Sequence, residues 1–174
     1  MTVERIHKAP RADAPRANLT DYEATRASFT WDAAAKELSG LPGGGGLNIA
    51  HEAVDRHAAR ADQADRVALR WLAADGRATE ATYADLRLAT NRFANALDAL
   101  GVAAGERVFT MLPRRRELYE TAVGTWKHRS VFAPLFSAFG PEPAFQRLHK
   151  GDGRVLVTTP ALHERRIAPI RSRL

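Results

Sequence analysis

Three short runs, each apolar at nearly every position and each separated from the next by a helical stretch, constrain this chain more than any other feature. They are Val108-Phe-Thr-Met-Leu112, Val131-Phe-Ala-Pro-Leu135 and Val155-Leu-Val-Thr158. A strand with one face in water alternates apolar and polar residues, whereas a continuous apolar run has to be covered on both faces. Between the first two runs, Leu118, Ala122 and Trp126, with Tyr119 and Val123 on an adjoining stripe, predict a helix. Between the second and third, Pro141 opens a short helix through Leu148 and Gly151 stops it. The expected architecture is therefore βαβαβ, a parallel sheet with right-handed crossovers. A last helical stretch follows Pro160, and Pro169 interrupts or restarts it. The third strand leaves an apolar edge that must be paired or covered, which predicts the front part of a larger sheet.

Upstream, Val67, Leu69 and Trp71 alternate with Ala68, Arg70 and Leu72, Asp75-Gly76 supplies turn chemistry, and Ala78 to Thr82 returns, which predicts a β-hairpin. Thr82-Tyr-Ala-Asp85 resembles a capping box, after which Leu86, Ala89, Phe93, Leu97 and Leu100 recur at helical spacing up to Gly101. Pro42-Gly-Gly-Gly-Gly46 lacks the Lys-Ser/Thr of a phosphate loop and reads as a turn or linker. Asn48 then offers an N-cap for a helix to about residue 57 or 59. Residues 1–28 mix Pro, Ala, Arg and Asp without period and are expected to form a flexible leader. Phe29-Thr30-Trp31 is an aromatic stretch suited to docking on a surface.

The chain has 174 residues, no cysteine and a net charge of +6. It can form a core without disulfide or metal staples. No apolar run approaches the roughly 20 residues of a spanning helix and the N-terminus has no signal-peptide block, so membrane insertion is not expected and the chain reads as cytoplasmic. The charge is local. From residue 147 onward there are seven Arg/Lys (147, 150, 154, 165, 166, 171 and 173) against Asp152 and Glu164, so +5 of the +6 lies in this last stretch. Such a patch suits phosphates, on a cofactor or on nucleic acid, but a solvated Arg-rich face is the more common explanation. A nucleic-acid interface is disfavoured, since neither an aromatic-and-arginine sheet motif nor a recognition helix accompanies it.

No self-sufficient active site is visible. HExxH, GxSxG, GxGxxG and GK[ST] are all absent, and the six histidines are scattered. His51 and Asp55, four apart, suit a surface hydrogen bond better than a catalytic dyad. Arg114-Arg115-Arg116 follows the first parallel strand at the end where α/β sheets bind ligands, and fits either a phosphate contact or a solvated helix start.

The order of several segments carries a resemblance. Gly44-Gly-Gly-Leu-Asn48 followed by Asp55-Arg-His57, the hairpin segment VALRW, then ATYADLRLATNRFANALDALGVAAGERV and GTWKHRSVFAPLFSAFGPEPAFQRL resemble the opening of the large domain of acetyl-coenzyme A synthetases. These belong to the AMP-forming acyl-coenzyme A ligases of the adenylate-forming superfamily. The resemblance runs from about residue 29 onward. It implies an α/β fold in which an N-terminal helix and β-hairpin precede the parallel βαβαβ sheet, as part of the AMP-binding large domain, with residues 29–174 an incomplete N-terminal subdomain.

It also implies the chemistry. The family joins a carboxylic acid to ATP as an acyl-adenylate, releases pyrophosphate, and passes the acyl group to coenzyme A, using ATP, Mg2+ and coenzyme A. The lysine-bearing Ser/Thr/Gly-rich phosphate loop and the catalytic lysine have no counterpart in this sequence, which has no glycine after Gly153. The chain is therefore expected to be inactive alone, with no catalytic residue, metal or cofactor of its own, and to have the rest of a synthetase as a partner. Phe136, Ser137 and Ala138 fall in a turn that the family places beside the coenzyme A nucleotide, usually Phe-Gly-Gly-Phe-Ser-Pro. Arg165 and Arg166 fall where it places arginines on the coenzyme A phosphates, a task suited to a planar, permanently charged donor fork. Ser137 and Ala138 stand in for two glycines and narrow the backbone approach. Lys127-His128-Arg129 stands where relatives have a small turn, so this helix end lacks its glycine cap. His51 stands in place of a usual tyrosine. The alternative is a stand-alone module that binds coenzyme A, phosphate or a partner without catalysis.

Overall fold

A computed structural model describes residues 19–174, in two compact units that divide after Leu38. In the first unit, α1 (Tyr22–Ser28) starts at Asp21, whose carboxylate accepts from the Ala24 N–H, and α2 (Trp31–Lys36) starts at Thr30, whose hydroxyl accepts from the Ala33 N–H. Phe29 and Trp31 meet edge to face at 5.2 Å. Neither helix buries a residue. Residues 22–28 are thus helical where the aperiodic composition suggested flexible leader. The local cap at Asp21 is the reason: it satisfies an end N–H that an apolar period would not reveal. Residues 1–18 of the expected leader lie outside the described residues.

The second unit opens with the glycine cluster as a turn. Gly40, Gly43, Gly44 and Gly46 all have positive φ, and the Leu41 N–H closes the loop onto the Gly46 carbonyl. Asn48 caps the next turn, its Oδ1 accepting from the Ala50 N–H. The chain then forms a π-turn, His51–Asp55, that runs into α3 (Arg56–Ala58). β1 (Val67–Leu72) and β2 (Ala78–Thr82) pair antiparallel, and α4 (Tyr83–Ala99) begins with a complete capping box between Thr82 and Asp85. Gly101, at φ 70°, supplies the left-handed residue that ends it.

β3 (Arg107–Met111), α5 (Arg116–Lys127), β4 (Val131–Pro134), α6 (Pro141–Lys150) and β5 (Gly153–Thr158) follow as the alternation predicted. The sheet is parallel with order β4-β3-β5, so the first parallel strand is its centre. This explains the apolar run. Val108, Phe109, Thr110 and Met111 are all buried because both faces of β3 are covered. On one side Val108 packs with Leu97, Val102 and Phe93. On the other, Phe109 and Met111 pack with Leu135, Leu148, Leu162, Ile167 and Ile170. Beyond β5 the chain runs as α7 (Pro160–Leu162), a π-turn (His163–Ile167) and a 3-10 segment (Ala168–Arg173) with Pro169 near its start.

The buried face of α5 differs from expectation. Thr121, Ala122, Gly124 and Thr125 are buried while Tyr119 is exposed. Thr121 and Thr125 turn their hydroxyls back to the carbonyls four residues earlier, which lets small polar residues sit at a helix contact without orphaned groups. Gly124 lies against α4 so closely that a Cβ there would come 2.9 Å from the Thr90 carbonyl oxygen. The helix ends without glycine, as anticipated, and Arg129 itself takes the left-handed conformation at φ 64°. Gly151, by contrast, has φ −83°. It is needed for space, since a Cβ would sit 2.5 Å from the Phe109 ring, and the left-handed residue at this helix end is Asp152 at φ 47°.

Candidate functional site

Parallel pairing brings the carboxyl ends of β4, β3 and β5 to one rim of the sheet, where open α/β sheets place their ligands. After β4, Leu135 is buried, and Phe136 to Phe139 make a tight turn closed by the Phe139 N–H on the Phe136 carbonyl, 3.0 Å. Ser137 and Ala138 occupy its two central positions, and neither has positive φ, so this turn tolerates their side chains without backbone strain. Phe136 is 66% exposed and meets Phe139 edge to face at 5.8 Å. Phe139 carries the Arg147 guanidinium over its ring at 4.1 Å. Gly140 and Pro141 then start α6.

After β5, Thr158 donates to the Met111 carbonyl, 2.9 Å, and ties this rim to the central strand. Thr159 caps α7, accepting from the Leu162 N–H. Arg165 and Arg166 both lie in the π-turn that comes next. The exposed Arg165 donates its Nε–H to the Ala161 carbonyl, 3.2 Å. Arg166 is different, because its Nε is buried and has no hydrogen-bond partner. A buried unsatisfied donor costs roughly 1–3 kcal/mol, so an acceptor reaching it would recover that energy. Two π-turns among the described residues are unusual in themselves, and such turns concentrate at functional positions.

After β3, two of the three arginines, Arg115 and Arg116, resolve in favour of the helix start. Arg115 forks onto Glu117 and Arg116 pairs with Glu120 at 2.5 Å. The hydrogen bond from Arg115 holds the Glu117 carboxyl below its ordinary pKa, against a smaller opposing effect of burial. His51 and Asp55 do not pair with each other. His51 Nε2 lies 3.2 Å from Ser39 Oγ, and Asp55 accepts from Lys127 Nζ at 2.5 Å. The π-turn changes the register across this segment, so four-residue spacing no longer implies contact. In the basic stretch, Arg173 lies over Phe145 at 3.8 Å and pairs with Glu142 at 2.7 Å.

Two polar networks were not legible from spacing. Lys127, which the sequence shows only as a helix end, is nearly buried and joins Asp55 to Asn91, while Asn48 Nδ2 reaches the Trp126 carbonyl. Burial lowers the Lys127 pKa, against the opposing hydrogen bond and charge of Asp55. Glu52 accepts from the Ser39 and Gly40 N–H groups and from Arg56, anchoring the glycine turn. Burial raises its pKa, but those donors outweigh it and hold the carboxyl below its ordinary value. Apart from Arg56, four residues from Glu52, the partners are 12 to 78 residues apart in sequence, so no local period signals them. Among the described residues there is no group of three or more His, Cys, Asp or Glu that could hold a metal ion, and no helix is long and apolar enough to cross a membrane.

Known proteins place this geometry. The family described as AMP-binding enzyme matches residues 54–173. The acetyl-coenzyme A synthetase of Bacillus subtilis (strain 168) is 39% identical over 149 residues, covering 85% of this chain and 26% of that relative. A 3-hydroxypropionyl-coenzyme A synthetase from Sulfurisphaera tokodaii is 30% identical over 122 residues, covering 70% of this chain and 18% of that relative. Among solved structures, an acyl-CoA synthetase of Brucella canis aligns with TM-score 0.72 and 36% identity, covering 82% of this chain and 26% of that one. An anthranilate CoA ligase, AuaEII, shares the fold with TM-score 0.64 at 23% identity, covering 74% of this chain and 23% of that one. The chain thus spans about a quarter or less of the length of these proteins. With two thirds of its residues matched to the family and the parallel α/β core shared, the chain belongs to the AMP-binding enzyme family and carries part of the fold of its adenylate-forming domain.

Proposed function

We propose that this chain is the opening portion of an AMP-forming acyl-coenzyme A ligase of the acetyl-coenzyme A synthetase type. Such a ligase joins a carboxylic acid to ATP as an acyl-adenylate with loss of pyrophosphate, then transfers the acyl group to the coenzyme A thiol. The observation that carries this reading is the family match over residues 54–173, together with 39% identity to an acetyl-coenzyme A synthetase of which the chain spans about a quarter. The two relatives by sequence are named for short acyl groups, acetyl and 3-hydroxypropionyl.

In this reading these residues serve binding rather than bond-making. The buried, unpartnered Nε of Arg166 fits a phosphate oxygen, and Arg165 adds a second guanidinium on the same π-turn. The Phe136–Phe139 turn, which includes Ser137, presents an exposed aromatic ring at the same rim of the sheet. The 174 residues contain no glycine after Gly153 and no lysine after Lys150, hence no lysine-bearing glycine loop at that end. The chain alone is accordingly expected to be inactive. With ATP, acetate and labelled pyrophosphate, the purified chain should give exchange no higher than background, and robust exchange would refute its inactivity.

A second reading, a non-catalytic coenzyme A or phosphate-binding module, is favoured by the orphaned Arg166 donor. Calorimetric titration with coenzyme A tests it. Heat that disappears in both Arg165→Ala and Arg166→Ala supports that reading, whereas no heat, or heat indifferent to both changes, counts against it.

A further inference from the structure

The end of α5 is held by side chains rather than by glycine. His128 is its C-cap, with a side chain only 5% exposed, and the next residue, Arg129, takes the left-handed conformation at φ 64°. A long side chain holds that conformation only where the surrounding structure over-determines it. Both neighbours of Arg129 are fixed. His128 Nδ1 lies 2.7 Å from Ser130 Oγ, and His128 Nε2 lies 3.1 Å from Asp98 Oδ1 in the last turn of α4. The Ser130 hydroxyl in turn lies 3.4 Å from the Ala103 carbonyl, in the loop before β3. One chain of hydrogen bonds therefore joins the ends of α4 and α5 to the start of β4 and to that loop.

The polarity of this chain depends on a single proton. An ionised carboxylate only accepts, so Nε2 has to donate to Asp98. In a neutral ring Nδ1 is then the acceptor, the Ser130 hydroxyl gives it its one proton, and the Ala103 carbonyl receives none. In a protonated ring Nδ1–H donates to Ser130 Oγ, and the hydroxyl is released to donate to Ala103. Only the imidazolium makes all three links at once.

The surroundings favour that state. Asp98 meets the ring from α4, and Glu106 stands one link further on, its carboxylate accepting from the Ala103 N–H at 2.7 Å. β4 carries no charged residue, and Arg107 at the start of β3 lies with Asp152. On α5 itself Lys127 is turned to Asp55 and Asn91, which leaves the adjoining Arg129 as the opposing charge. The carbonyl ends of α4 and α5 both lie here, where a cation is stabilised. Burial of the ring opposes its charge. Asp98, however, is 73% exposed, so the chain opens to water at that end.

We propose that these links outweigh burial and make His128 a proton-operated latch: on taking up a proton from solvent, its ring donates to Asp98 and Ser130 together and pins the α5–β4 turn to the end of α4 and the loop before β3. Histidine is the side chain whose charge ordinarily changes between pH 5 and 8, so mild acid tightens this rim of the sheet, opposite the rim that carries the Phe136 turn and Arg166.

The test is nitrogen-15 NMR of the histidine rings in the 174-residue chain, with amide exchange corrected for the intrinsic effect of pH. At about pH 5.5 the His128 ring should carry a proton on both nitrogens, and at about pH 8.5 on Nε2 alone. The amides of Gly105, Arg129, Ser130 and Val131, whose hydrogen bonds close this junction, should exchange roughly ten-fold slower at the lower pH, while those of the β1–β2 hairpin keep their rate. The other described histidines have partners elsewhere. His128→Gln, which keeps a hydrogen-bonding side chain but gains no charge, should therefore abolish the difference. Asp98→Asn, a change at an exposed position, should shrink it and lower the pH at which the ring takes its second proton. The proposal fails if the ring stays singly protonated at the lower pH, if protonation leaves exchange at the junction unchanged or speeds it, if His128→Gln keeps the pH dependence, or if Asp98→Asn behaves as wild type.

Discussion

Gly124 offers a quantitative test of how closely α4 and α5 are packed. A methyl group there would meet Phe93 Cδ1 at 2.8 Å and the Thr90 carbonyl oxygen at 2.9 Å. The phenyl ring can turn aside, but the carbonyl belongs to the α4 backbone. To restore ordinary contact at 3.4 Å the helices must separate by roughly 0.5 Å, in a core packed like an organic crystal. Overpacking of this kind costs about 1–3 kcal/mol. Against it stands a gain of up to about 1 kcal/mol from replacing glycine by alanine within a helix. The net expectation for Gly124→Ala is a loss of roughly 1 kcal/mol, or about 2–4 °C in melting midpoint for a chain of this size. Circular dichroism melts of wild type and variant, run side by side, measure it. Gly140→Ala is the control, because a Cβ there meets nothing nearer than Pro143 at 3.9 Å and the backbone lies at φ −70°. A Gly124→Ala midpoint equal to or above wild type, with Gly140→Ala unmoved, would refute the close helix contact.

Arg129 adopts a left-handed conformation that glycine takes without strain, so Arg129→Gly should raise the melting midpoint, by a stabilisation of about 0.5–1 kcal/mol; a lower midpoint counts against stored strain at this helix end. Lys127→Met leaves Asp55 and Asn91 without their shared cation, and should speed amide exchange over residues 49–58 more than over α4; uniform exchange would show that the lysine is not the tie. Acid should destabilise the second unit. Hydrogen bonds from Arg60 hold Asp62 at about 2, and those from Thr82 hold Asp85 below its ordinary 3.8. The folded carboxyls lie below their unfolded values, so the unfolded chain takes up protons first and stability falls as pH drops from about 4 toward 2, a decline that melts across that range should reveal and that Asp85→Asn should reduce. Finally, the unpaired apolar edge of β5 predicts broad, non-cooperative unfolding or aggregation of the isolated chain, and a sharp, reversible two-state melt of the monomer would refute that.

The elements of this protein were legible because their signals are local. The capping box at Thr82, the stop at Gly101, the turn at Asp75-Gly76 and the three apolar runs each lie within a few residues, and each appears in the structure within one or two residues of its expected place. The family, too, was written in the order of its segments, from the glycine turn to the Phe136 turn. Features that depend on the approach of distant segments left no such mark. That β3 is the central strand follows from which strands pair, and that Gly124 and Gly151 are glycine for space follows from their packing partners, Thr90 and Phe93 in one case and Phe109 in the other. The separate partners of His51 and Asp55, the Lys127 tie and the orphaned Nε of Arg166 arise in the same way. Periodicity records which face of an element avoids water. It carries no record of which other element covers that face, and this is why the hydrophobic pattern determined the helices and strands while only tertiary packing decided which edge stays open and which donor is left waiting.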